Sequence, residues 1–306
     1  MKQWFGCGML LLAAIVWGVA FVAQSVGMDY VGPFTFNFAR YYVGALVLTP
    51  YIIVKLLAPA DKASGEKKAK LKGGFKKNLI AGIGCGTFLF IASALQQFGI
   101  KYSVLVGKAG FLTALYIILV PVLGIFIGKK TRALIWVCVG LSVIGLYLLC
   151  MTNGFVLEKG DVLLLLCALF FSFHIMYIDS VSPHTDGVVI SCIQFATAGV
   201  FCTVGALLTE SVSWGDVVRA AVPILYAGAC SCGIGYTFQI LGQKYVEPTK
   251  ASLILCLESV VSVIAGWILL PDQALSIREL VGCIIMFAAI ILAQFAEKKE
   301  ETVKEK

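Results

Sequence analysis

Charge is what this sequence has least of. Only 13% of its 306 residues are Asp, Glu, Lys or Arg, 60% are hydrophobic, and the mean hydropathy is +0.95. A soluble globular chain carries roughly 25% charged residues, so this one has too little polar surface to face water all round. It also lacks the period-two alternation of a membrane β-barrel, because its apolar runs are continuous in Leu, Ile, Ala and Gly. No nucleophile elbow, no H-E-x-x-H and no P-loop is present. The start shows no polar n-region, short apolar core and cleavage site. The first apolar run, Phe5 to Ser25, is long enough to stay in the bilayer as a span. An integral membrane protein made only of helices is the class that remains.

Ten spans fit the sequence, at 5–25, 33–56, 78–98, 103–127, 133–152, 161–180, 188–208, 220–241, 249–270 and 277–296. Pro33, Pro183, Pro223 and Pro248 fall at or near span starts, where a missing N–H costs least. Pro121 lies deep in the fourth span and is expected to kink it. With the N-terminus inside, the cytoplasmic side receives 18 Lys and Arg: Lys2, the run from Lys55 to Lys77, Lys129, Lys130, Arg132, Lys244, Lys250 and the tail lysines. The outer side receives 4, Lys101, Lys159, Arg219 and Arg278. That bias puts both termini in the cytoplasm. The net charge of +7 is then a topology signal, with no call for nucleic acid. The eleven cysteines all fall within spans and read as packing residues. Cys230 and Cys232 point about 200° apart on a helix, so no metal or other cofactor is expected.

The chain repeats itself. Gln97 and Gln239 each stand eleven residues before a lysine, Lys108 and Lys250, and each lysine opens a long apolar run. The offset of 142 also places Gly140 on Gly282, and an offset of 154 places Trp17 on Phe171 and Arg40 on Gln194. Residues 1–152 and 153–297 read as two repeats of five spans, followed by a charged cytoplasmic tail at 298–306. An odd number of spans per repeat turns the second upside down. Inverted repeats of this kind recur in secondary transporters, where two packings of related halves give alternating access.

Polar groups that lipid should exclude are the candidates for chemistry. Arg40, about seven residues into its span, costs at least about 2.5–3.5 kcal/mol near mid-membrane without a partner. It reads as a clamp on an anionic group, or as half of a structural ion pair, or as a side chain snorkelling outward. Glu258 is the one carboxylate clearly inside a span, able to carry a proton, meet a substrate amine or brace a neighbouring helix. Lys108 suits an anionic substrate or a structural role. His174 suits proton handling or a substrate contact, or is satisfied by a nearby carbonyl. Gln194 takes the place of Arg40 in the second repeat and is neutral, so the site is electrically asymmetric. Trp17, Phe21, Tyr116, Tyr177 and Tyr236 are candidates to line an amphipathic cavity or to pack and anchor.

WGVAFV in the first span, FAR in the second and KAGFLTALYIILVP in the fourth resemble the EamA-type drug/metabolite transporter superfamily. In the second half GD at 160–161, HIMYID, IQF at 193–195, YTFQILGQKYVEPTKASLILCLESV and ELVGCIIMF do the same. The resemblance implies a ten-helix inner-membrane carrier with two inverted repeats and a central cavity, moving amino acids, other small metabolites or drugs, commonly outward. It marks Trp17, Arg40, Lys108, His174, Gln194, Gln239 and Glu258 as candidate substrate-binding positions. Glu258 and His174 are the candidates for proton coupling. Where the family often has Gly-Glu, this chain has Pro271-Asp272 and Gly128-Lys129.

The expectation is therefore an all-α membrane protein of ten helices in two inverted repeats. It would export small organic solutes across the bilayer, with protons or a counter-substrate as coupling partner. A drug efflux carrier of the same fold, a channel and a membrane enzyme are the alternatives. The enzyme has one hook, the spacing of His174 and Asp179, yet helix positions five apart lie about 140° from one another.

Overall fold

The computed structural model describes residues 2–57, 74–102, 106–129, 131–150, 158–270 and 276–304. Most of the basic loop, at 58–73, with Lys130 and Pro271-Asp272, lies outside the described residues. Hydrocarbon offers no hydrogen-bond partners, so backbone that crosses it must satisfy itself within a helix or a closed barrel. Among the described residues all regular structure is helical.

In chain order the helices are α1 (Lys2–Gly27), α2 (Pro33–Leu57), α3 (Gly74–Lys101), α4 (Val106–Ala114), α5 (Tyr116–Phe126), α6 (Ala133–Cys150) and α7 (Lys159–Val181). There follow α8 (Gly187–Thr209), α9 (Trp214–Arg219), α10 (Ala221–Leu225), a π-helix (Tyr226–Tyr236), α11 (Thr237–Gly242), α12 (Pro248–Leu255), α13 (Leu257–Leu269) and α14 (Ile277–Lys304). Seven stretches among the described residues are long and apolar enough to cross a membrane: α1, α3, α4 with α5, α7 with the turn after it, α8, α10 through α11, and α12 with α13. A shorter apolar stretch, Ala133–Leu148, lies in α6. α2 packs along α8, and α6 along α14.

The side chains are sorted as lipid requires. Phe126 and Ile277 are each 83% exposed, while Asn78, Gln97, Asp161, His174 and Gln194 are fully buried. Close helix contacts are made at glycines. A Cβ on Gly242 would stand 2.9 Å from the carbonyl of Gly6, and one on Gly160 would stand 2.9 Å from the carbonyl of Gly99. The first contact joins α1 to α11 and the second α3 to α7, so each of them joins residues 1–152 to residues 153–297. Small residues let backbones approach where dispersion, rather than water exclusion, draws helices together.

α2 and α8 close each other's ends. Glu210, just past α8, accepts from the backbone N–H groups of Phe34 (2.8 Å) and Thr35 (2.9 Å) at the start of α2. At the opposite end Lys55 of α2 pairs with Asp186, the N-cap of α8. Each helix thus supplies a charge that complements the other's unsatisfied N-terminus or its cap.

Three spans depart from the simple helices expected. The fourth breaks at Leu115, six residues ahead of Pro121, which sits inside α5. The ninth breaks at Cys256 with no proline there at all. At both breaks the chain tightens into an i→i+3 bond, Ile118 N–H to the Leu115 carbonyl (3.0 Å) and Ser259 N–H to that of Cys256 (3.1 Å). Around Cys256 side chains compete for backbone acceptors: its Sγ donates to Leu253 and the Ser262 hydroxyl to Ser259. Such back-bonding bends helices. The eighth span carries the π-helix, a wide i→i+5 turn common at functional sites. Pro50, inside α2, is a second internal proline beside Pro121.

Lys108 is held in an ion pair. Its ammonium lies 2.8 Å from Asp161 and 3.7 Å from Glu158, and Asp161 is wholly buried in the first turn of α7. Asp161→Ala should therefore lower stability by about 3 kcal/mol, and Lys108→Met in the same chain should recover part of it, the rest being the lost cap on the Glu158 N–H. Thermal unfolding of the purified variants in detergent measures both.

Candidate functional site

Midway along the bundle, α1, α2, α3, the α4–α5 break, α7, the π-helix with α11, and the α12–α13 break surround a cavity of about 430 Å³, its opening included. Its floor is set by the two broken helices. Tyr116 and Glu258 sit one and two residues past the breaks, 142 positions apart in sequence. They meet in space: the Tyr116 hydroxyl donates to Glu258 Oε1 at 2.9 Å. Beside them Ser259 donates to the Gly110 carbonyl at 2.9 Å, tying α13 to α4. The breaks let two helices present polar side chains at mid-depth without leaving backbone groups in lipid.

Arg40 faces this cavity and is 1% exposed. Its guanidinium donates to Gln24 Oε1 at 3.0 Å and to the Tyr41 hydroxyl at 3.4 Å, and lies 5.1 Å from the Tyr41 ring centroid. Its Nε has no partner. Gln24 is steadied in turn by Gln97, whose amide donates to the Gln24 carbonyl at 3.2 Å. Among the described residues no carboxylate pairs with Arg40, so the expected alternatives of an ion pair to a neighbouring helix and of snorkelling past Pro33 do not describe it. A buried cation served only by neutral oxygens and ring faces is under-compensated.

The aromatic wall is built from both halves of the chain. Trp17 and Tyr236 stand with ring centroids 4.6 Å apart, and the Trp17 indole N–H donates to the Ser231 carbonyl at 3.2 Å. Phe21 and Phe171 complete it. Gln96, Gln239, Thr113 and Ser231 add neutral polar groups to the lining.

Of the positions singled out in the sequence, Trp17, Arg40, Gln239 and Glu258 line the cavity, as do Phe21, Tyr116 and Tyr236. Lys108 is tied to Asp161 at the far end of its helix. His174 and Gln194 bond to each other at 3.1 Å outside the cavity lining. Tyr177 packs against Phe88 instead. Lys250, counted with the cytoplasmic cations, is buried on α12 at 4% exposure. Gln24 and Gln96 were missed; each is an amide inside an apolar run, and that alone is a usable signal. His174 and Asp179 lie on one unbroken helix, with Asp179 paired to Lys129, so the two do not meet as an acid–base pair. Among the described residues no cluster of His, Cys, Asp and Glu suits a metal ion.

The sequence signature of the EamA-like transporter family matches residues 4–151 and again residues 158–295. This chain belongs to the EamA-like transporter family. Relatives include an uncharacterized transporter from Archaeoglobus fulgidus, 25% identical over 93% of this chain and 84% of its own length. The uncharacterized transporter YoaV from Bacillus subtilis is 23% identical over 94% of this chain and 95% of its own. A crystal structure superposes with a TM-score of 0.75 at 17% identity, covering 97% of this chain and 98% of that one, and so shares the fold. The family and the apolar helices make this a multi-pass membrane transporter, not an enzyme.

The Tyr116–Glu258 bond gives a direct check on the site's construction. Tyr116→Phe leaves a buried carboxyl oxygen without its donor and should lower the stability of the purified protein by about 1–3 kcal/mol in thermal unfolding.

Proposed function

We propose that this protein is a secondary transporter that exports small organic solutes carrying an anionic group, such as amino acids or related metabolites. One observation carries the reading: Arg40 is a buried guanidinium with neutral partners only, facing a cavity between helices of both halves. An incoming carboxylate or phosphate supplies the missing counter-charge, and guanidinium binds either one bidentately. Trp17, Phe21 and Tyr236 receive the apolar part of the solute, and Gln239 its polar groups.

In this reading residues 1–152 and 153–297 are inverted repeats of five helices, giving ten spans with both termini in the cytoplasm of an inner-membrane protein. Its supports are the sequence offsets, the paired glycine contacts, and the helix breaks at Leu115 and Cys256, 141 positions apart. Rocking one half on the other about the Tyr116–Glu258 contact exposes the cavity to each side in turn. Glu258 carries the coupling proton, and its own bond to Tyr116 keeps it at the pivot. Lys108 serves structure rather than substrate.

A ligand at 100 times its Kd stabilises the native state by about 2.7 kcal/mol, so a thermal-shift screen of the purified protein against a metabolite panel tests the reading. Anionic solutes of one class should raise the melting temperature of the wild type and fail to raise that of Arg40→Ala. Stabilisation that survives in Arg40→Ala removes the anion anchor. In proteoliposomes Glu258→Gln should abolish any dependence of solute flux on a pH gradient. Unaltered proton-driven flux in that variant takes Glu258 out of the coupling.

A further inference from the structure

Lys55, Lys108 and Lys129 each meet an aspartate, yet Arg40, buried deeper than any of them, is met by a carboxamide. That carboxamide is Gln24. It stands three residues before the end of α1, lines the cavity together with Arg40, and is 4% exposed. A guanidinium only donates, so Gln24 must turn its oxygen to Arg40, and Oε1 accepts from the guanidinium at 3.0 Å. The backbone of the same residue is held from α3, where the Gln97 amide donates to its carbonyl at 3.2 Å. Gln24 is therefore fixed in place by α2 and α3 together.

What Gln24 lacks is charge. Glutamate has the same shape, with an oxygen in place of the amide nitrogen. At position 24 it would put a carboxylate at hydrogen-bond distance from the guanidinium, a contact roughly twice as strong as a neutral one. It would also cancel the charge that Arg40 brings to the cavity. The other carboxyl of the lining, Glu258, is engaged by Tyr116. Stability alone gives no reason for the amide, since a buried charge without an opposite one is costly. The amide orients the guanidinium and leaves its charge uncancelled.

We propose that Gln24 is a specificity-determining residue of the cavity. By holding Arg40 with a neutral oxygen, it makes the site select solutes with an anionic group over uncharged ones of the same shape. This rests on the transporter reading above, in which Arg40 anchors the solute. Specificity needs an element that penalises the wrong partner as well as one that attracts the right one. An uncharged solute leaves the Arg40 charge uncompensated, and an anionic one compensates it.

Benzoate is the probe, titrated into the detergent-purified protein with thermal stabilisation and calorimetry as readouts. It should stabilise the wild type and not Arg40→Ala. Gln24→Glu should weaken it about 100-fold or more, because benzoate then meets a like charge already paired with Arg40. Gln24→Met is close to Gln in shape and uncharged. It should keep benzoate within about ten-fold of the wild type, the range that one neutral hydrogen bond covers. A merely structural Gln24 is damaged as much by Met as by Glu. Gln24→Asp carries the same charge and stands in if Gln24→Glu folds poorly. Benzoate binding kept in the acidic variant overturns the role of Gln24 and leaves the Arg40 anchor in place. A loss in Gln24→Met as deep as in Gln24→Glu also overturns it and makes Gln24 a support. Benzoate that fails to stabilise the wild type, or that stabilises Arg40→Ala equally, overturns the anchor and this inference with it.

Discussion

Everything in this molecule follows from the absence of water in the middle of a bilayer. Backbone groups must be satisfied inside helices, and every polar side chain that enters the hydrocarbon layer must find its partner between helices. Arg40 is where that constraint is met least completely. Gln24 and Tyr41 share its hydrogen bonds, but nothing among the described residues neutralises its charge. The rest of the centre is arranged around this deficit. Two broken helices deliver Tyr116 and Glu258 to the same depth, and an aromatic wall closes the space between the halves.

The other charges are handled in the opposite way. Lys108 with Asp161, Lys129 with Asp179 and Lys55 with Asp186 are all paired. These pairs sit toward helix ends and tie α4 and α5 to α7, and α2 to α8. Compensated charge holds the scaffold together at its rims. Uncompensated charge is kept for the cavity. Lys108, which looks in sequence like a twin of the site residues, is one of these paired charges.

The helical class and the polar positions were legible because both follow from composition: long apolar runs leave each Arg, Glu or Gln conspicuous. Arg40 and Glu258 were found that way, and Gln239 through the repeat. Partners were not legible. Lys108 meets Asp161 fifty-three positions away, and nothing in either neighbourhood announces it. Helix breaks were legible only where proline marks them, and proline misled even there. Pro121 drew attention six residues past the actual break at Leu115. The matching break at Cys256 has no proline to mark it, although serine and cysteine side chains bond back to the chain on either side of it. The π-helix is invisible for the same reason, since AGACSCGIG is equally compatible with an ordinary turn.

The reciprocal closure of α2 and α8 bears on how the protein is made. The groups that cap α2 come from Glu210, separated from Phe34 by 176 positions. At translation rates of about 5–20 residues per second, roughly ten seconds or more pass before Glu210 is synthesised. Through that interval the first N–H groups of α2 are without the Glu210 carboxylate that accepts from them in the finished fold. The newborn first half is thus an unfinished surface, exposed to lipid and to whatever insertion factors attend it. Its completion coincides with the arrival of the strand of sequence that ends α8.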